Sequence, residues 1–187
     1  MRTGIRSALF AAAVALGTGC GYNDIQRLDE QVNQAKGQIE TQLQRRADLI
    51  PNLVNTVKGV AKQESTIFVS IAESRAKLSG AVQSKDLAQM AAANAQVTGD
   101  LGRLLAIVEN YPQLKSDQSF RDLQSQLEGT ENRIAVARQD YNAAVGDFNK
   151  TIRAFPTNLT AMVFGMKEPR PYFEADKAAQ QAPTVKF

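Results

Sequence analysis

From Phe120 to Ile152 an apolar or small side chain returns every three or four residues, through Leu123, Leu127, Thr130, Ile134, Ala137, Tyr141, Ala144 and Phe148. One face of an α-helix has that period, because a turn takes about 3.6 residues, whereas a half-buried strand alternates every second residue. A stripe this narrow leaves the rest of the helix polar and can be covered only by other helices, so the chain must supply them.

Three further stretches do. Over residues 23–47, Ile25, Leu28, Val32, Ala35, Ile39 and Leu43 recur at helical spacing between Gln and charged residues. Pro51 lacks a backbone N–H and turns the residue before it away from helical dihedrals, which places a helix boundary near Ile50. A second helix then runs from Asp48 or Pro51 to Leu78, carried by Leu53, Val57, Val60, Ile67, Ile71 and Ala72, and stops at Ser79 and Gly80. Ser84 suits the N-cap of a third, in which Leu87, Met90, Asn94, Val97, Leu101, Leu104 and Val108 alternate spacings of three and four. Asn94 is the one polar member of that seam, a position where a polar residue more often sets register than binds a ligand. Tyr111 and Pro112 stop this helix, and Ser116 or Asp117 caps the fourth.

Short loops join antiparallel neighbours. The expected fold is therefore all-α, an antiparallel up-down-up-down four-helix bundle over residues 21–155. A short C-terminal helix is expected within 156–174, where Asn158 caps an apolar face of Leu159, Met162, Val163 and Phe164 ahead of Gly165. That face either packs on the base of the bundle or dips into a lipid interface. Residues 175–187 are polar and rich in Ala, Gln and Pro, a composition that predicts a disordered tail.

Residues 1–20 have another character. Arg2 and Arg6 precede an apolar run over residues 8–16, followed by Gly17, Thr18, Gly19 and Cys20. A charged start, a short apolar middle and small residues before a cleavage point describe a secretory signal, and the run falls well short of the roughly 20 residues that span a bilayer. Cys20 is the only cysteine, so no intramolecular disulfide can form. Its setting resembles the lipobox of bacterial lipoproteins, in which the cysteine is diacylated and becomes the mature N-terminus, although Gly17 stands where leucine is usual. Two acyl chains, at about 0.8 kcal/mol per buried CH₂, anchor a protein unaided. The alternative is an uncleaved N-terminal hydrophobic segment. Either places the protein on the extracytoplasmic face of a membrane, inner or outer.

Removal of Arg2 and Arg6 leaves 20 basic residues against 19 acidic ones, a net charge of +1. No basic stripe and no interleaved aromatics remain to hold a nucleic acid. Histidine is absent, which removes the commonest general base and neutral metal ligand. Ser74 and Lys77 match S-x-x-K without the companion motifs of that chemistry. Glu128 and Glu131 lack the Glu-x-x-His partner of a bundle metal site, so solvation or pairing with Arg133 or Arg45 is the expectation. No catalytic residue, cofactor or metal is expected.

Four blocks carry a resemblance: RRADLIPNLVNTVKG at residues 45–59, ENYPQLKS at 109–116, TENRIAVARQDYNAAVGDFN at 130–149 and FPTNLTAMVFG at 155–165. In this order they resemble the signature segments of the LemA family of bacterial envelope proteins. Lys36 and Gln63 stand where members often have an aromatic and a histidine, so no role passes to them. The resemblance implies a membrane-anchored helical bundle without established enzymatic activity, associated with other envelope proteins. With a chain reversal beside Pro51, the first two blocks would meet at the membrane-distal tip. Arg45, Arg46, Asp48, Asn52, Lys58, Glu109, Asn110 and Tyr111 are then the candidate partner-binding residues of a scaffold or adaptor, with self-association open. A second reading is a membrane-organising or tethering protein that uses its anchor and the apolar C-terminal segment.

Overall fold

Pro51 does not end the first helix. In the computed structural model, which describes residues 2–61 and 63–173 and side chains from Gly21 onward, α1 runs Arg2–Lys58 with Pro51 inside it. An interior proline removes one helical hydrogen bond and crowds the carbonyl four residues back, together a cost of about 3 kcal/mol. The carbonyl left without its helical donor is that of Ala47, and the Arg75 Nε–H donates to it at 2.8 Å. Beyond the proline, Leu53, Val54 and Val57 are buried and hold the helix to its neighbours. The reversal expected at Asp48 to Pro51 therefore lies at residues 59–64, where the Val60 and Ala61 N–H groups donate to the Val57 carbonyl at 3.1 and 2.9 Å. Val60, expected in the core, is 38% exposed because the helix has already ended.

The remaining helices are α2 Ser65–Ser84, α3 Leu87–Val108, α4 Pro112–Ser116, α5 Gln118–Thr151 and α6 Thr157–Val163. The protein is all-helical, with no strand among the described residues. α2 continues through Gly80 and ends at Lys85, which takes left-handed dihedrals (φ 55°, ψ 27°). Its connection to α3 is thus Lys85 and Asp86, shorter than the expected residues 79–85. Asp86, not Ser84, caps α3, accepting from the Ala88 and Gln89 N–H groups at 2.9 and 3.1 Å. The Ser84 hydroxyl instead donates back to the Ala81 carbonyl. α3 stops ahead of Pro112, and Asp117 caps α5 by accepting from the Phe120 N–H at 2.8 Å.

The chain divides into two compact units. Residues 38–138 form one, with Phe173. Here Ile39, Leu43, Ile50, Leu53 and Val57 of α1 are buried, as are Ile67, Phe68, Ile71 and Leu78 of α2, Met90, Val97 and Leu104 of α3, and Leu127 and Ile134 of α5. Two pairs of contacts fix helix direction. The bond from Arg75 to Ala47, with Lys58 Nζ lying 5.3 Å from the centre of the Phe68 ring, shows that α2 descends as α1 rises. Ser70 to Asp100 at 3.0 Å and Lys77 to Gln96 at 3.3 Å do the same for α2 and α3.

The other unit joins the chain up to Gly37 with Gln139–Tyr172. Ile25, Leu28 and Val32 of α1, Tyr141, Val145 and Phe148 of α5, and Ile152 just after it are buried in it. Contacts with α1 and α5 fasten the irregular chain after α6. Asn149 Nδ2 donates to the Arg170 carbonyl at 2.9 Å, and the Arg170 N–H donates to Asn149 Oδ1 at 2.7 Å. The Arg170 guanidinium reaches Asp29 at 2.6 Å, and the Tyr141 hydroxyl donates to the Pro171 carbonyl at 2.9 Å. The side chain of Cys20 and residues 175–187 lie outside the described residues.

Candidate functional site

Because α1 is continuous past Pro51, the eight candidate residues do not form one cluster. Arg45, Asp48 and Asn52 are three and four residues apart and share one exposed face of α1. They line a groove with Glu40, Thr41, Gln44, Leu49 and Val82 of α2. Asp48 accepts from Gln44 Nε2 at 2.9 Å on the same helix, which fixes its carboxylate along this face.

Lys58, Glu109, Asn110 and Tyr111 lie at the other end of the unit. α2 begins after the α1–α2 connection and runs antiparallel to α3, so the end of α3 returns to the level of Lys58. Lys58 lies over Phe68, beside a hollow lined by Ser65, Val69 and Ala72. Glu109 is exposed and ion-paired with Lys115 of α4. The Asn110 and Tyr111 N–H groups donate to the Ile107 and Val108 carbonyls at 3.0 and 2.9 Å, closing the end of α3. From Arg45 to Lys58 is about 20 Å along α1 at the helical rise.

Arg46 belongs to neither face. It is 4% exposed, its Nη1 donates to Asn94 Oδ1 of α3 at 2.7 Å, and it is ion-paired with Glu131 of α5. Burial lowers its pKa, the Glu131 carboxylate raises it, and the Arg138 guanidinium lowers it again. An arginine stays charged at any physiological pH, so the arrangement is a cation held inside the unit by one carboxylate and one amide oxygen. Asn94, read from the sequence as a register-setting residue, is the amide. Glu131, expected to be solvated or to pair with Arg133 or Arg45, is the carboxylate. The spacing Leu43, Arg46, Ile50 puts Arg46 on the apolar stripe, and that was the signal for its inward position.

Two arginines escaped the sequence reading. Arg75, within the S-x-x-K match, replaces the donor that Pro51 lacks, and Arg170 closes the segment after α6. Neither has a local signal, because each is defined by a partner far away in sequence. Among the described residues no group of three or more Cys, Asp or Glu could hold a metal. No helix there is long and apolar enough to cross a membrane. The exposed faces can bind through charge, amides and small apolar patches.

Comparison with known proteins agrees with the blocks read from the sequence. Magnetosome protein MamQ 2 of Paramagnetospirillum magneticum is 29% identical over an alignment covering 88% of this chain and 68% of that protein. Magnetosome protein MamQ of Magnetospirillum gryphiswaldense is 28% identical over the same shares. Protein LemA of Metamycoplasma hominis is 24% identical, over 85% of this chain and 75% of its own length. The profile described as "LemA family" matches residues 35–187, which takes in all four blocks, and the chain belongs to that family.

Proposed function

We propose that the protein is a lipid-anchored, non-enzymatic scaffold that holds partner proteins at the extracytoplasmic face of a bacterial envelope membrane. Residues 1–20 are in this reading the signal, and Cys20 carries the lipid. α5 completes an up-down-up-down four-helix bundle on which the binding faces are displayed. The observation that carries the reading is the exposed row of Arg45, Asp48 and Asn52 on α1 beside Leu49 and Val82. It offers charge, an amide and apolar contact within one groove, and it falls in the first family block. Membership of the LemA family and likeness to magnetosome proteins support membrane association.

In-cell photo-crosslinking from positions 45, 48 and 52, with mass spectrometry of the adducts, tests the scaffold. A discrete partner adduct is expected. It should be lost in Arg45→Glu combined with Asp48→Lys while the helical circular dichroism is unchanged. Adducts from Lys58 and Tyr111 alone would move the site to the α1–α2 and α3–α4 connections. No adduct from any of the exposed candidates would end the scaffold reading, and an adduct with a second copy would make it a homo-oligomer. Palmitate labelling that persists in Cys20→Ala would separately remove the lipid anchor.

A further inference from the structure

Helix α6 is built inside out. It buries Thr160 and Ala161, at 2% and 0% exposure, and turns Leu159, Met162 and Val163 outward at 50%, 65% and 75%. Phe164, which follows the helix, and Phe155, which precedes it, extend the outward face at 52% and 81%. Water selects the opposite arrangement, since an amphipathic helix on a soluble domain turns its large apolar residues in. Large apolar residues presented together mark a surface that meets something other than water.

The inward face of α6 shows where that surface lies. A Cβ on Gly21 would come within 3.3 Å of both Thr157 Cγ2 and Thr160 Oγ1, so α6 packs tightly on the first residues of α1 after Cys20. The rings of Tyr22 and Phe164, 4.6 Å apart, continue the contact. The patch is thus fixed beside the point where the apolar run of residues 8–16 and Cys20 meet the folded chain. In sequence, exposed Arg153 and Lys167 flank the segment, with Glu168 the nearest acidic residue. An apolar segment with exposed basic residues at both of its ends in sequence suits the boundary between acyl chains and anionic headgroups.

We propose that α6 and its flanks are a second membrane contact, in which Phe155, Leu159, Met162, Val163 and Phe164 enter the interface of the bilayer that holds the N-terminus. The inference rests on the anchored reading above and adds an orientation to it: the unit sits on the membrane by this face instead of swinging from one terminus.

The chain contains no Trp, so Met162→Trp in the full-length protein is a unique fluorophore at an exposed position. Val163→Trp is the second variant should the first misfold. Each is incorporated into vesicles of phosphatidylethanolamine and phosphatidylglycerol whose acyl chains are either plain or brominated near the headgroup. Flotation reports the anchor, and quenching reports the patch. A roughly twofold or greater loss of emission in brominated vesicles is expected, reduced when Arg153→Glu and Lys167→Glu are added. Equal emission in both vesicle types from a protein that floats would overturn the second contact and leave the anchor standing. A protein that does not float overturns both. A blue shift that grows with protein concentration without vesicles would assign the patch to a second copy and overturn the lipid occupant.

Discussion

The Arg75 guanidinium supplies the hydrogen bond that Pro51 takes from Ala47: its Nε donates to the Ala47 carbonyl at 2.8 Å from the neighbouring helix. Ala47 has no exposed surface, so without Arg75 this carbonyl would have no donor. A side chain on α2 thereby lets α1 run on to Lys58. The bond also ties α1 to α2 beside the groove that Val82 of α2 shares with Arg45, Asp48 and Asn52.

Arg75→Ala should therefore destabilise the protein by about 2 kcal/mol, the range for a charge-assisted bond whose removal strands a buried acceptor. In a Pro51→Ala background the amide at position 51 can take over the carbonyl, and the same Arg75→Ala change should cost less than about 1 kcal/mol. A double-mutant cycle by urea denaturation should show a coupling of about 1–2 kcal/mol. Additive effects would mean that Arg75 stabilises the helix pair in some other way.

Glu131 is the carboxylate facing Arg46, and Arg138 adds a second positive charge to the same surroundings. Glu131→Gln should cost about 2 kcal/mol, because it leaves a buried guanidinium with an amide partner alone. The loss stays below that of a fully buried pair because the Glu131 side chain is 41% exposed. Arg46→Met in the Glu131→Gln background should recover most of it, since the unpaired charge is then gone. Thermal unfolding of the three proteins distinguishes this from a surface ion pair, for which all three would melt together.

The helices were legible where the apolar period did not depend on anything distant. In α3, Met90, Asn94, Val97, Leu101, Leu104 and Val108 are buried as their alternating spacing required, while Leu87, the first of that seam, is only half-buried at the start of the helix. Pro51 was misread because a proline signals only a local defect, and its remedy at Arg75 becomes visible only once α1 and α2 lie side by side. The family block and the expected reversal beside Pro51 group Arg46 with exposed Arg45, although its own spacing puts it among Leu43 and Ile50. The apolar character of residues 159–164 was plain in the sequence. Its outward direction was not, since periodicity defines a face and leaves open which side is turned to the protein.

The segment after α6 depends on Asn149, whose side chain makes both hydrogen bonds to the Arg170 backbone. Asn149→Ala should loosen the backbone around Arg170 while leaving the helices in place. Hydrogen exchange should show the Arg170 amide losing roughly tenfold or more of its protection, as expected when a bond of about 1.5 kcal/mol is removed from a locally opening segment. Amides in the middle of α3 should exchange as before. Faster exchange throughout α3 would mean that Asn149 supports the whole fold and not this segment.

Tyr141 makes stability sensitive to alkali. Burial pushes its phenol above the ordinary value of 10.0, with the Arg170 guanidinium pulling the other way, and the protonated hydroxyl donates to the Pro171 carbonyl. A raised folded-state pKa means that the folded protein keeps a proton which the unfolded chain releases sooner. The stability from this group is fully present below the unfolded pKa and is lost as pH rises through the folded one. At pH near 8, Tyr141→Phe should cost about 1 kcal/mol for the missing hydrogen bond. Above a pH of about 10 the difference between the two proteins should shrink, because only the protein with the tyrosine loses this contribution. Chemical denaturation at several pH values measures the gap, and a gap that stays constant across that range would show that the Tyr141 proton is not linked to folding.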